Sequence, residues 1–179
     1  MKPALLLLIA AGAAFAQNTT VGKVFDDQLK MVESEFVPAV EAMPEAKFNF
    51  KPANGAFSNV RTFAEQAKHV AAVNYICAAG AKKEKPPVDT GGEAGPATAK
   101  SKAEVVKFVK DSFAYAHTAA AALSEDNALE MVKSPFGGPD QPRAGILSCV
   151  IWHSFDHYGQ MAVYLRLNNI VPPASRGNQ

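Results

Sequence analysis

Apolar side chains return at three- and four-residue steps in four separate segments of this chain, and nowhere do they alternate as a half-buried strand requires. Each stripe must be buried against another, so the sequence restricts the fold to packed helices. The first stripe runs through Phe25, Leu29, Val32, Phe36, Val40 and Met43, with Asp26, Lys30 and Glu33 on the outer face. Pro38 lies inside it and, having no N–H to donate, is expected to kink the helix or end its regular part early. The second helix, from about Thr62 to about Ala79, opens on the capping-box spacing of Thr62 and Glu65 and carries Gln66, His69, Val73 and Ile76 inward. A second capping box, Ser101 with Glu104, opens a third helix that continues through Val105, Phe108, Val109, Ser112, Ala116 and Ala119 to Leu123. The last helix starts near Arg143 and runs to about Asn168, where Val171-Pro172-Pro173 forbids continuation. The tail after Pro173, residues 174–179, is expected to fray.

Between the stripes the chain reads as loop. Residues 44–59 are rich in Pro, Asn and Gly, with Phe48 and Phe50 as candidate anchors. Residues 124–141 suggest a short helical turn followed by a Pro/Gly loop. Residues 81–100, AKKEKPPVDTGGEAGPATAK, form the one low-complexity stretch. Helical hairpins need only about 2–8 residues. A connection this long suits a crossover along the full height of a bundle whose neighbouring helices run parallel. The expected architecture is all-α, a four-helix bundle with a long crossover between helices 2 and 3.

The N-terminus, MKPALLLLIAAGAAFAQNTT, has the pattern of a secretory signal peptide: a Lys, an apolar run from Ala4 to Ala16, and a small-x-small site before Gln17. That run is shorter than the roughly 20 residues a membrane-spanning helix needs. Residues 1–16 are therefore expected to be removed, leaving residues 17–173 as one domain in a secreted or periplasmic protein without a membrane span. The formal net charge is +1 and no stretch gathers basic residues, which disfavours nucleic acid as a partner.

The chemistry lies in HSFDH. His153 and His157 sit four apart on the inward stripe of the last helix, with Ile146, Val150, Met161 and Tyr164. Side chains so spaced stand one turn above each other, about 5–6 Å between Cβ atoms, and two imidazoles can close on one ion. A pair alone binds weakly, and His69 on the inward stripe of the second helix is the natural third ligand. Three neutral imidazoles on one side of a divalent ion leave positions open for water and substrate. The alternative is three core histidines, each bonded to its own polar partner. His117, at the edge of the third stripe, is a weak candidate.

With these residues in view, the chain resembles the DinB-like (DinB/YfiT) superfamily. The resemblance rests on Phe48-x-Phe50-Lys51-Pro52, on Arg61-Thr62-Phe63-x-Glu65-Gln66-x-x-His69, and on His153-x-x-x-His157-x-Gly159-Gln160-x-x-x-Tyr164-Leu165-Arg166 followed by Pro172-Pro173. It implies an up-down-down-up bundle, a divalent-metal site on His69, His153 and His157, and a homodimer. Many members carry a His just before the last ligand and an Arg just after it; here those places hold Asp156 and Tyr158. Zinc, nickel, iron and manganese all satisfy the donor set. A metal-dependent hydrolase or transferase acting on an unknown small molecule is the expected activity, and a non-enzymatic binding or scaffold bundle with structural histidines is the alternative. Glu65 and Asp156 are candidate general bases. Glu65 is already explained as a cap, and Asp156 suits a role orienting an imidazole N–H. Gln160 is expected either to meet bound water or to tie the last helix to a neighbour, and Trp152 and Tyr158 to pack against another helix or a dimer partner. Cys77 and Cys149 fall toward one end of an antiparallel helix pair, where a structural disulfide is feasible.

Overall fold

The computed structural model describes residues 19–177; the signal peptide expected at residues 1–16 lies outside them. Four helices carry the fold: α1 Val21–Ala42, α2 Phe63–Lys82, α3 Lys102–Ala121 and α4 Arg143–Leu167. Each of the first three starts where a side chain can take an orphan backbone N–H. Thr20 caps Lys23, Thr62 caps Glu65 and Ser101 caps Glu104, and the last two are closed capping boxes.

The packing order follows from residues that meet. Gly22 at the start of α1 lies against Ala120 and Leu123 at the end of α3, and Lys102 reaches the Glu41 carbonyl at the other end, so α1 and α3 are antiparallel. Asn74 pairs with Ser112 and Lys82 with Thr118, so α2 and α3 are parallel. Gln66 meets Gln160 while Arg143 reaches the Ala81 carbonyl, so α2 and α4 are antiparallel. The result is the up-down-down-up bundle, with α2 and α1 each packed between α3 and α4. Its core has two apolar regions. One centres on Phe36, Phe63, Phe113, Met161 and Leu165, the other on Leu29, Leu147, Val150 and the two cysteines. Across α2, α3 and α4 a buried polar link satisfies itself: Ser154 donates to Asn74, Asn74 to Ser112, and Ser112 to the Val109 carbonyl.

Several expectations need correction. Pro38 does not end α1, which runs on to Ala42. The carbonyl one turn back belongs to Ser34, which is exposed, so water can take the place of the missing N–H. The short helical turn expected at the start of residues 124–141 is present as a single turn, Ala128 N–H to the Ser124 carbonyl at 2.9 Å, but the loop after it carries an unexpected short antiparallel ribbon, β1 (Met131–Val132) with β2 (Gln141–Pro142). The tail is not frayed over 173–176: Pro173–Ser175 forms a 3-10 turn against α1, and Ser175 accepts from Arg166. In the 44–59 loop Phe48 is buried and Phe50 stacks edge-on against Tyr164 at 5.9 Å, as the anchors were expected to do. No helix among the described residues is long and apolar enough to cross a membrane.

The crossover is where the fold and the site meet. After α2 ends at left-handed Lys83, the chain folds back along α2 through turns at Gly91 and Gly95. Gly95 has φ +80°, and a Cβ there would stand 2.7 Å from Lys68 Cβ. Only glycine permits both that backbone and that approach. The linker is thereby laid on the helix that carries His69.

Candidate metal centre

His69 from α2 and His153 and His157 from α4 converge. Their ring centroids are 4.9, 4.8 and 4.5 Å apart, and one ligand nitrogen from each lies within 4.8 Å of the others. His153 Nε2 and His69 Nε2 are 3.2 Å apart. Two nitrogens bound at about 2.0–2.1 Å with an angle of roughly 90–110° at the ion stand about 2.9–3.4 Å apart. The spacing fits a shared cation.

The second nitrogens show which lone pairs face the centre. His69 Nδ1 is 2.7 Å from the Glu93 carbonyl, which can only accept, so Nδ1 carries the proton and a neutral ring turns a bare Nε2 inward. For His157 the direction is set further away. The Asp156 carboxylate accepts from Gln160 Nε2 at 3.1 Å, so Gln160 Oε1 faces Gln66 Nε2 at 3.0 Å. Gln66 Oε1 is thus left for His157 Nδ1, at 2.5 Å, and Nδ1 must donate. His157 also offers a bare Nε2. His153 Nδ1 is buried without a hydrogen-bond partner.

Protonation does not relieve this crowd of lone pairs. Burial, then the neighbouring rings, pushes His153 down to about 3 and His157 to about 4, and burial also lowers His69. Three neutral imidazoles, two of them with lone pairs turned inward, are a donor set for a borderline divalent metal, which would take the place of the proton shared between His153 Nε2 and His69 Nε2.

The other candidates fall elsewhere. Glu65 is spent on its cap: its carboxylate accepts from Thr62 N–H at 2.7 Å, which holds it below the usual carboxylate range. Asp156 does not touch an imidazole but acts through Gln160 and Gln66. Gln160 ties α4 to α2. His117 lies on the far side, between Asp26 at 2.6 Å and Glu33 at 3.1 Å on α1. Tyr158 packs on the core, whereas Trp152 is 59% exposed, 6.0 Å edge-on from the His153 ring. Cys77 and Cys149 do face each other across α2 and α4, as free thiols.

Two features were not read from the sequence. One is the Glu93 carbonyl, which no residue type signals; only the length of the linker hinted at a role. The other is a pocket of about 510 Å³ beside the triad, lined by His153, Trp152, Cys149, Cys77, Glu93 and the 134–137 loop. It is large enough for a small molecule and reaches one of the three rings.

Comparison with known proteins agrees with this architecture. No curated protein matches the chain. Among solved structures, a DinB-like protein from Bacillus cereus ATCC 10987 aligns with a TM-score of 0.64 at 17% identity, covering 87% of this chain and 97% of that one. A family model described as DinB superfamily matches residues 28–161, which include His69, His153 and His157. This chain belongs to the DinB superfamily.

Proposed function

We propose that His69, His153 and His157 hold a divalent transition metal and that the protein is a metal-dependent hydrolase or transferase whose small-molecule substrate enters the pocket at His153. The observation that carries this reading is the inward convergence of three neutral imidazoles, two with tautomers set by the Glu93 carbonyl and by Gln66. A divalent ion there would act as a Lewis acid on a carbonyl or phosphoryl oxygen. The chain's own part is to fix the donors. The crossover holds His69, the Asp156, Gln160 and Gln66 relay holds His157, and packing alone holds His153. Glu65, committed to its cap, is not available as a base. The apolar leader at residues 4–16 supports an exported protein, secreted or periplasmic.

Metal analysis of protein purified without a polyhistidine tag should find one divalent ion per chain, and none in His153→Ala. A metal-free wild type would leave the non-enzymatic bundle as the reading. A screen of ester, amide and phosphoester substrates with both proteins then tests catalysis: turnover that survives in His153→Ala would place the chemistry elsewhere.

A further inference from the structure

Two groups in the pocket beside the triad take no part in the histidine centre. Cys77 on α2 and Cys149 on α4 are the only cysteines of the chain. Both are free thiols, they rest against one another, and both line the pocket. A thiol sealed in a core behaves as an inert small hydrophobe. A contacting pair on the wall of an open pocket is within reach of a reagent.

The two sulfurs are not equivalent. Cys149 is 9% exposed and Cys77 is fully buried. Interaction with Cys149 and burial push the Cys77 thiol up, and the less buried Cys149 is the sulfur that a reagent in the pocket meets first. Glu93 is the one carboxylate among the lining residues, and its charge is felt at both sulfurs. It disfavours anionic reagents and suits a cation.

We propose that Cys77 and Cys149 are a redox-active dithiol, entered at Cys149 through the pocket and closed by Cys77, that exchanges with small cationic disulfides. In the first step the Cys149 thiolate attacks one sulfur of the disulfide; the S–S bond breaks and one thiolate leaves, taking up a proton. Cys77 then loses its proton and attacks Cys149 in the mixed disulfide, forming the Cys77–Cys149 bond and expelling the second thiol. Two protein thiols are oxidised and one disulfide is reduced to two thiols. The bond ties α2 to α4, the two helices that carry the histidines. The inference does not depend on the metal reading, because it concerns sulfurs outside the triad.

The test is incubation of the folded, full chain with cystamine, a cationic disulfide, followed by intact mass, thiol titration and peptide mapping under denaturing conditions. Wild type should lose both titratable thiols and the mass of two hydrogens, yield a Cys77–Cys149 peptide, and recover with dithiothreitol. Cys77→Ser should stop at one cysteamine adduct on Cys149, and Cys149→Ser should take no adduct. Glutathione disulfide, which is anionic, should react more slowly than cystamine, and Glu93→Gln should narrow that difference. The proposal is overturned if folded wild type keeps both thiols while the denatured chain reacts, or if Cys77 takes the adduct in Cys149→Ser. Equal rates with the two disulfides would remove the cationic class. Circular dichroism checks that each variant is folded, and Cys149→Ala replaces a serine variant that is not.

Discussion

The bundle holds histidines in two places, and their surroundings are opposite. Along the α1/α3 seam, His117 stands between two carboxylates, Asp26 and Glu33, at a partly exposed site. Along the α2/α4 seam, three imidazoles face one another, and the partners that hold them are a carbonyl and a carboxamide. His117 has anionic partners already built into the fold. Three neutral rings, two with lone pairs turned inward and no carboxylate against them, form a donor set that a cation could share. Residue type is the same in both seams; the partners around it differ.

The largest expected effect separates the two seams outright. His69→Ala or His157→Ala should abolish stoichiometric metal and with it the gain in stability that free metal confers, about 2.7 kcal/mol at a hundredfold excess over the dissociation constant. His117→Ala should keep both. Thermal unfolding with and without added zinc or nickel measures this, and a His117→Ala protein that loses its metal would erase the contrast.

Next comes the relay behind His157. Gln66→Leu preserves bulk but removes the acceptor for His157 Nδ1 and the donor to Gln160. Metal affinity should fall about 10- to 100-fold, as for other residues that orient a ligand from behind. Competition with a chromogenic chelator gives the number; an unchanged affinity would mean that packing alone fixes the ring.

Much of this site was legible in the sequence because helices are periodic. Four stripes and two capping boxes placed His69, His153 and His157 on inward faces, and the four-residue spacing aligned two rings. What escaped depended on backbone or on loop path. The Glu93 carbonyl belongs to every residue type alike. The ribbon of Met131–Val132 with Gln141–Pro142 is too short for any periodicity to show, and the turn at Pro173–Ser175 follows from contact with α1. Gln66 was placed on the right stripe, but its partner lies 91 residues away.

Two glycines test the seams at a more modest scale. A Cβ on Gly22 would stand 2.6 Å from the Ala120 carbonyl oxygen and 2.7 Å from that of Leu123, both backbone atoms at the α1/α3 contact. A Cβ on Gly95 would press on Lys68 and require φ +80° of an alanine. Each substitution should cost about 1–3 kcal/mol in chemical denaturation. Only Gly95→Ala should also weaken metal binding, since it displaces the linker whose Glu93 carbonyl orients His69. Equal affinities in the two variants would show that the crossover does not position the ring.

The smallest effect lies in the carboxylate-rich seam and depends on pH. Asp26 accepts from Lys30, and this bond, with help from His117, holds its carboxyl below the ordinary value of 3.8. A depressed folded pKa contributes stability that is fully present above the unfolded value and lost as pH falls through the folded one. The side chain is 29% exposed, so solvent screens the pair and the contribution should be under about 1 kcal/mol. Denaturation of wild type and Asp26→Asn should therefore differ slightly at about pH 6 and converge toward about pH 3. A difference that grew as the pH fell would have the wrong sign for a carboxylate held by cations, and would remove the ion-pair account of the seam to which the triad is contrasted.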